Sequence, residues 1–296
     1  MPARTAVVIG LGTTGSEVVA KIYQAYQNYI GKTHDNPNTV QFMMIDTQDA
    51  VRGAEGLLAR GNHLMIGLPY GERVRQALWD EDQFFREWWP DDHVDIGALF
   101  PGAGTVPING RMAFWVKLGD PASPVNFRNR FKDMALRATQ SAGEGAGHQI
   151  LVYLITTLSG GTGAGTFLDV AQTIRDTDGM DPQIHGIFLM PDIVHMRAQP
   201  SAHEQTSANA YGSLIALNYW CTPPGSRPLD LGPFMKKGRM VVQGHLIPYD
   251  VIWLISRVSK DARAMNSIEE YQQMAADSIS MMLFEEQAGN IQARFN

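Results

Sequence analysis

The stretch Leu158-Ser159-Gly160-Gly161-Thr162-Gly163-Ala164-Gly165-Thr166 decides the fold of this chain. Before it, nearly every residue of 149–156 is apolar or β-branched, which is typical of a buried parallel strand. After it, the apolar residues of 167–175 recur at helical spacing. The glycines are therefore predicted to form the turn between the carboxyl end of a strand and the amino end of a helix.

Such a turn is suited to binding an anion. Four glycines within residues 160–165 carry no side chain that would keep an anion away from the backbone N–H groups. The amino terminus of the following helix adds partial positive charge. A phosphate-binding loop is the favoured interpretation, and a tight turn with surplus glycines is the alternative. It is not a Walker loop, because no Gly-Lys-Ser/Thr follows to place a lysine at a terminal phosphate.

A second glycine-rich segment, Gly10-Leu11-Gly12-Thr13-Thr14-Gly15, follows the apolar residues 5–9. It fits the GxGxxG pattern between a strand and a helix, and that helix is predicted from about Ser16 to about Tyr29. The next strand, 40–45, ends at Asp46 and Thr47. In a nicotinamide-binding protein an acidic residue about 20 positions after the glycines binds the ribose hydroxyls. Asp46 lies 36 positions after Gly10, which is late for that role.

The third segment contains Gly102, Ala103, Gly104 and, after Pro107 and Gly110, the cation Arg111. A helical pattern follows over residues 112–118. The guanidinium could neutralise phosphate charge, or it could be a solvated cation at the start of that helix, and the sequence leaves both interpretations open.

Residues 160–166 closely resemble the GGGTG(S/T/A)G signature loop of the tubulin and FtsZ superfamily of GTP-binding proteins. The third segment is similar to the FtsZ segment that approaches the terminal phosphate, and Asp46 matches a polar run after strand two. Gln48 stands where tubulin has a carboxylate, which favours a divergent bacterial tubulin-like protein. The resemblance implies an α/β fold with a doubly wound parallel sheet, GTP or GDP as ligand, and Mg²⁺ as cofactor.

The resemblance also implies which residues bind the nucleotide. The contacts are expected from the three glycine-rich segments and from polar residues beside them: Gly10, Gly12, Thr13, Thr14, Gly15, Asp46, Thr47, Gly102, Ala103, Gly104, Arg111, Gly160, Gly161, Thr162, Gly163, Ala164, Gly165, Thr166, Glu204 and Asn209. Glu204 matches the glutamate that FtsZ places near the ribose. Asn209 matches an asparagine that hydrogen-bonds guanine in tubulin, with a helix amino-terminal cap as its alternative role. No catalytic or metal-ligating residue is assigned.

Two further regions bear on the guanine contact and on catalysis. Asn266, Glu269 and Tyr271, at the start of a final helix over about 267–284, are weaker candidates for contact with guanine. Superfamily members follow this helix with an acidic loop and a second domain, and residues 285–296 show neither pattern. GTP binding is therefore expected ahead of efficient hydrolysis by this chain alone.

One domain is expected. Residues 1–265 form a GTP-binding unit with insertions near 50–98 and 219–247, and residues 266–296 contribute a central-helix-like segment. The aromatic residues of 78–89 are assigned to packing. Self-assembly into filaments, or binding of a partner protein, is the usual consequence in the superfamily. The alternatives are an NAD(P)-dependent oxidoreductase and a nucleotide-independent structural protein.

The composition excludes some partners. With 24 basic and 30 acidic residues the net charge is −6, which argues against binding nucleic acid. The single cysteine, Cys221, rules out an internal disulfide and fits a reducing compartment. Neither a signal peptide nor a membrane-spanning stretch is recognised, so no membrane insertion and a cytoplasmic location are expected.

Overall fold

The computed structural model describes residues 4–49, 51–89, 102–119, 126–142, 149–223, 247–258 and 264–284. Within these ranges the strands are β1 (Ala6–Leu11), β2 (Val40–Asp46), β3 (His63–Met65), β4 (Leu151–Thr157), β5 (Gln183–Leu189) and β6 (Val251–Ile255). The helices are α1 (Gly12–Thr33), α2 (Glu55–Leu58), α3 (Gly71–Glu81), α4 (Gln83–Trp88), α5 (Pro107–Leu118), α6 (Phe127–Ser141), α7 (Gly161–Arg175), α8 (Pro191–Val194), α9 (His203–Cys221) and α10 (Ile268–Phe284).

All six strands form one parallel sheet in the order β3-β2-β1-β4-β5-β6. The chain therefore builds the sheet outward from β1 in one direction and outward from β4 in the other. β1 and β4 pair from Ala6 with Leu151 to Leu11 with Thr156, so their carboxyl ends lie side by side. This topology confirms the predicted doubly wound parallel α/β fold, and it places the switch point of the winding between β1 and β4.

Helices cover both faces of the sheet. Every residue of β1 is fully buried, which explains why the strand is apolar at successive positions rather than at alternate ones. Ala6 and Val8 pack in a core with α1 and α10, while Val7, Ile9 and Leu11 pack in a core with α5, α6, α7 and α9. α1 and α7 consequently lie on opposite faces, although both begin at the same edge of the sheet.

The segment predicted as a helical insertion near 50–98 contains part of the sheet as well. β3 pairs with β2 and precedes α3 and α4. A strand of three residues is too short to show a period, so the sequence pattern could not reveal it. The aromatic side chains Phe85 and Trp89 are buried in the core beside α5, in agreement with the packing role assigned to this region. Residues 90–98 lie outside the described residues.

β6 is less buried than its sequence indicates, because an unbroken apolar run is typical of a strand buried on both faces. It is the edge of the described sheet, and its residues alternate between half-buried and exposed, with Ile252 37% and Leu254 52% exposed. The run Val-Ile-Trp-Leu-Ile is apolar at every position, so its pattern does not predict the alternation between half-buried and exposed residues. Among the described residues, no helix is long and apolar enough to cross a membrane.

Candidate functional site

The amino termini of α1 and α7 meet at the switch point. α1 begins at Gly12, immediately after β1, and α7 begins at Gly161, shortly after β4. The two starts are so close that a Cβ atom on Gly12 would lie 3.2 Å from the backbone nitrogen of Gly163. Gly12 itself has a φ of +70°, which disfavours any other residue there. The amino termini of two helix dipoles therefore meet at the switch point, where doubly wound sheets form a crevice, although the N–H of Gly161 already donates to the carbonyl oxygen of Gly104 at 2.9 Å.

The glycines of the signature stretch fall into two groups. A Cβ on Gly163 would lie 1.9 Å from a threonine hydroxyl of β4, and one on Gly161 would lie 2.6 Å from a carbonyl oxygen of the third glycine-rich segment. A Cβ on Gly165 would lie 2.0 Å from a carbonyl oxygen at the start of α5. At Gly160 the nearest atom would be a methyl group at 3.9 Å. Packing therefore requires three of these glycines, and only Gly160 faces open space.

The helix begins earlier than the sequence analysis expected. Because α7 starts at Gly161, residues 161–166 form its first turns rather than a loop. Thr166 is fully buried, and its hydroxyl donates to the carbonyl oxygen of Thr162 at 2.8 Å, so it contacts its own helix. Likewise α1 starts at Gly12 and not near Ser16, so Thr13 and Thr14 belong to a helical first turn.

Asp46 lies at the carboxyl end of β2, beside the start of α1. The Thr13 hydroxyl donates to its Oδ2 at 2.8 Å, and the backbone N–H of Thr47 donates to its Oδ1 at 2.7 Å. Burial raises the pKa of this carboxyl to about 6, although both hydrogen bonds act to lower it. The position is therefore fixed at the edge of the crevice, and the carboxyl is easier to protonate than an ordinary aspartate.

Thr47 joins three of the predicted segments. Its Oγ1 accepts a hydrogen bond from the backbone N–H of Ala103 at 2.9 Å, and it lies 2.8 Å from Oγ1 of Thr162. The side chain of Gln48 packs against the same loop, since a Cβ on Gly102 would lie 3.0 Å from its Nε2. The structure thus brings the end of β2, the third glycine-rich segment and the start of α7 together.

Arg111 lies elsewhere. Its Nε and Nη2 contact the two carboxylate oxygens of Asp169 at 2.9 and 3.3 Å, and its guanidinium lies 4.7 Å from the ring centroid of Trp88. Asp169 is buried, which raises its pKa, and Arg111 opposes that shift. A phosphate contact would require Arg111 to leave a buried carboxylate, so that role stays a prediction. In this structure the side chain links α5 to α7.

Asn209 and Glu204 lie on α9. Because α9 begins at His203, Asn209 is inside the helix and is not the amino-terminal cap considered from the sequence. Its Nδ2 donates to the carbonyl oxygens of Thr105 at 2.6 Å and Ser159 at 3.0 Å, which ties the third segment to the signature stretch. Glu204 is exposed in the first turn. Contacts of these two residues with the ribose or guanine stay predictions.

The weaker guanine candidates at the start of α10 are engaged with protein. Tyr271 is fully buried, and its hydroxyl donates to the carbonyl oxygen of Ile255. Glu269 is exposed and pairs with Arg52 at 3.2 Å. The backbone N–H of Asn266 donates to a carboxylate oxygen in the first turn of α10 at 2.9 Å.

One polar cluster, around Glu17, was not predicted from the sequence. Oε2 of Glu17 accepts a hydrogen bond from Nε2 of Gln272 at 2.6 Å and forms an ion pair with Nη2 of Arg197 at 2.8 Å, and the side chain of Glu17 is only 7% exposed. The cluster joins α1, α10 and the segment between α8 and α9. Glu17 is the one acidic residue of α1, but its partner on α10 lies 255 positions away, so only folding reveals the pair.

These features define the class of protein to which the chain belongs. It is a doubly wound parallel α/β domain whose glycine-lined crevice lies at the switch point, where such sheets bind ligands. The profile of the family described as tubulin like matches residues 7–295, and this chain belongs to that tubulin-like family. The match confirms the resemblance that the glycine-rich motifs indicated, and it does not support the oxidoreductase alternative.

No curated protein sequence matches the chain. Similar solved structures include CetZ from Methanosaeta thermophila strain DSM 6194, with 13% identity and a TM-score of 0.48 over 94% of this chain and 54% of that one. CetZ2 from Haloferax volcanii, described as a GTPγS-bound protofilament, has 12% identity and a TM-score of 0.44 over 94% and 57%. CetZ1 from Haloferax volcanii, described as a GDP-bound monomer, has 11% identity and a TM-score of 0.42 over 92% and 58%. The chain therefore spans little more than half the length of each.

Proposed function

We propose that this chain binds a guanine nucleotide, GTP or GDP, with its phosphates in the crevice between β1 and β4. The observation that carries the proposal is the meeting of two helix amino termini, where Gly12 approaches the backbone of Gly163. The N–H groups of the first turn of a helix have no acceptor within the helix, and a phosphate supplies one. The open space at Gly160 leaves room for such a group.

Asp46 suits the magnesium ion that accompanies a nucleotide. Mg²⁺ is usually held by one or two carboxylates together with phosphate oxygens and water, and when bound it neutralises phosphate charge. Asp46 is a carboxyl at the crevice, and Thr13 and the backbone of Thr47 hold its orientation. Among the described residues there is no group of three or more His, Cys, Asp or Glu side chains that could hold a metal without the nucleotide.

The cluster around Glu17 suits the base. Guanine presents an N–H and an amino group on one edge, and a carboxylate accepts hydrogen bonds from both, whereas adenine lacks the ring N–H donor there. Glu17 lies in the second turn of α1, just beyond the glycines of the crevice. Binding guanine would exchange its present donors, Gln272 and Arg197, for donors of the base. We therefore propose Glu17 as the group that favours guanine over adenine.

Equilibrium binding of GTP, GDP, ATP and NAD to the purified chain, with and without Mg²⁺, tests the proposal. The blocking variant is Gly160→Leu, because Gly160 has a φ of −84° and ψ of 166° that any residue adopts, and the side chain would occupy the open space just before α7 where we propose that a phosphate binds. Gly31→Leu is the matched control, since a Cβ there would meet nothing within 4 Å. We expect selective GTP and GDP binding that Gly160→Leu removes and Gly31→Leu retains.

Two results would contradict the proposal. Binding of NAD that Gly160→Leu leaves unchanged would favour the oxidoreductase, and absence of binding by any nucleotide would favour the nucleotide-independent structural role.

Filament formation with GTP hydrolysis at subunit contacts is a further proposal that the family suggests. It is tested by sedimentation and phosphate release with GTP against GDP. A cytoplasmic location also stays a prediction.

A further inference from the structure

The hydroxyl of Thr47 is buried, and its two polar neighbours determine the direction in which it donates its hydrogen. Thr47 is 1% exposed and Thr162 is 6% exposed, so Thr47 has almost no contact with water and Thr162 keeps slightly more. A hydroxyl donates one hydrogen bond and accepts up to two. The backbone N–H of Ala103 can only donate, so Thr47 Oγ1 is an acceptor in that contact.

The remaining contact sets the direction of the chain of hydrogen bonds. Within the described residues, the other polar contact of the Thr47 hydroxyl is with Oγ1 of Thr162 at 2.8 Å. If Thr162 donated in this contact, the hydrogen of Thr47 would be buried without an acceptor, which costs roughly 1–3 kcal/mol. In the other direction the hydrogen left over belongs to Thr162, the more exposed of the two residues, where water or a ligand can accept it. Thr47 therefore donates to Thr162. The order is Ala103 N–H to Thr47 and Thr47 O–H to Thr162.

This order leaves the hydroxyl hydrogen of Thr162 to be donated. Thr162 is the second residue of α7, and a Cβ on Gly12 would lie 3.5 Å from its Cβ, so its side chain lies where the two helix starts meet. The described part of the chain offers this hydrogen no acceptor. The same location collects the N–H groups that suit an anion.

We infer that Thr47 is a positioning residue, which acts through Thr162: it takes up one lone pair of the Thr162 hydroxyl and so orients that hydrogen toward an anionic oxygen in the crevice. The expected ligand is a phosphate group of a nucleotide, so the inference rests on the proposed function. Thr47 itself does not touch the ligand, although it was predicted from the sequence as a contact residue.

A double-mutant cycle tests this role. The dissociation constants of GTP, GDP and inorganic pyrophosphate are measured for wild type, Thr47→Val, Thr162→Val and the double variant. Thr47→Val keeps the shape and removes the hydroxyl, and we expect binding about tenfold to a hundredfold weaker, the loss of one hydrogen bond to a charged group. In the Thr162→Val background the same change is expected to have no further effect. Thr47→Ser keeps the hydroxyl and is expected to rescue binding.

The control for a general loss of stability is Thr177→Val, because Thr177 is a buried threonine just beyond the end of α7 and its hydroxyl donates to the carbonyl oxygen of Thr173 at 2.8 Å. It is expected to lower the melting temperature without changing affinity. Additive effects of Thr47→Val and Thr162→Val, or unchanged binding by Thr47→Val, would overturn the inference. Coupled losses for pyrophosphate with no preference for GTP would support it and refute the guanine proposal. No binding of nucleotide or pyrophosphate by wild type would refute both.

Discussion

The glycines of residues 160–165 serve two regions of the molecule with different surroundings. One is the open space at Gly160, just before the start of α7, where a Cβ would meet only a methyl group at 3.9 Å. The other is the seam between α5 and α7, where Gly110 and Gly165 let two backbones touch: a Cβ on Gly110 would lie 2.4 Å from the carbonyl oxygen of Gly161. One motif thus contains a glycine that faces open space and glycines that close packing requires. The two uses can be separated by substitution.

The largest effect is expected in the seam. Gly165→Ala places a Cβ 2.0 Å from the carbonyl oxygen of Pro107 and 2.8 Å from the nitrogen of Arg111, and backbone atoms cannot move aside cheaply. We expect a loss of at least about 3 kcal/mol in the free energy of unfolding. Gly160→Ala is expected to change it by less than about 0.5 kcal/mol. Urea denaturation of both variants measures the difference, and equal losses would show that the two regions do not differ.

A somewhat smaller effect is expected from Arg111→Ala. The substitution leaves the carboxylate of Asp169 buried without its partner, and breaking such a pair costs about 3 kcal/mol, reduced here to roughly 2 because the arginine side chain is 22% exposed. Replacing both residues, as Arg111→Met with Asp169→Leu, is expected to restore most of the stability. If nucleotide affinity instead falls while stability is unchanged, Arg111 binds phosphate, as the sequence resemblance implied.

A pocket of about 400 Å³ adjoins the seam between α5 and α7. Its existence depends on how these two helices pack, which the sequence could not predict. Each glycine-rich segment could be recognised in the sequence, because several glycines between a strand and a helix indicate a tight turn or a phosphate-binding loop. The fold followed from these segments and from the apolar strands. Which glycines face a ligand could not be predicted, since that depends on the distance between α5 and α7. The partner of Arg111 is on another helix 58 positions away, and no local pattern marks it.

The positions of Asp46 and Thr47 in the fold could be predicted from the sequence, whereas their contacts with a ligand stay predictions. Asp46 and Thr47 end a strand beside the switch point, so topology alone places them at the crevice. The contacts of Glu17 and Asn209 could not be predicted in this way. Both lie inside helices, and helical period predicts which face a residue occupies but not which loop it meets. The hydrogen bonds of Asn209 to two loops became evident only from the packing of α9.

A buried histidine outside both regions predicts how stability depends on pH. Burial lowers the pKa of His185 to about 4, its ring nitrogens have no partner among the described residues, and it packs 4.9 Å from the ring of Tyr153. The unfolded chain binds the proton near pH 6.5, so stability is full above that pH and is lost as the pH falls toward 4, by about 2 kcal/mol at pH 5. His185→Phe should remove this contribution, which is measured as the difference between the denaturation curves of the variant and of wild type from pH 7 to pH 4. The raised pKa of Asp46 contributes a slope of opposite sign to both proteins, so it cancels in the difference.

The smallest effect is expected at the base, and it concerns selectivity rather than stability. Glu17→Gln replaces a carboxylate that accepts two hydrogen bonds by an amide that can accept at only one of its two positions. The preference for GTP over ATP should then fall by about tenfold, which corresponds to one hydrogen bond of about 1.4 kcal/mol. Glu269→Gln is the control, because Glu269 is exposed at the start of α10 and was a candidate for the same role from sequence. Competition binding with both nucleotides measures the ratio. If Glu269→Gln lowers the preference and Glu17→Gln does not, the base lies at the start of α10, and the cluster of Glu17, Gln272 and Arg197 serves only to join three elements.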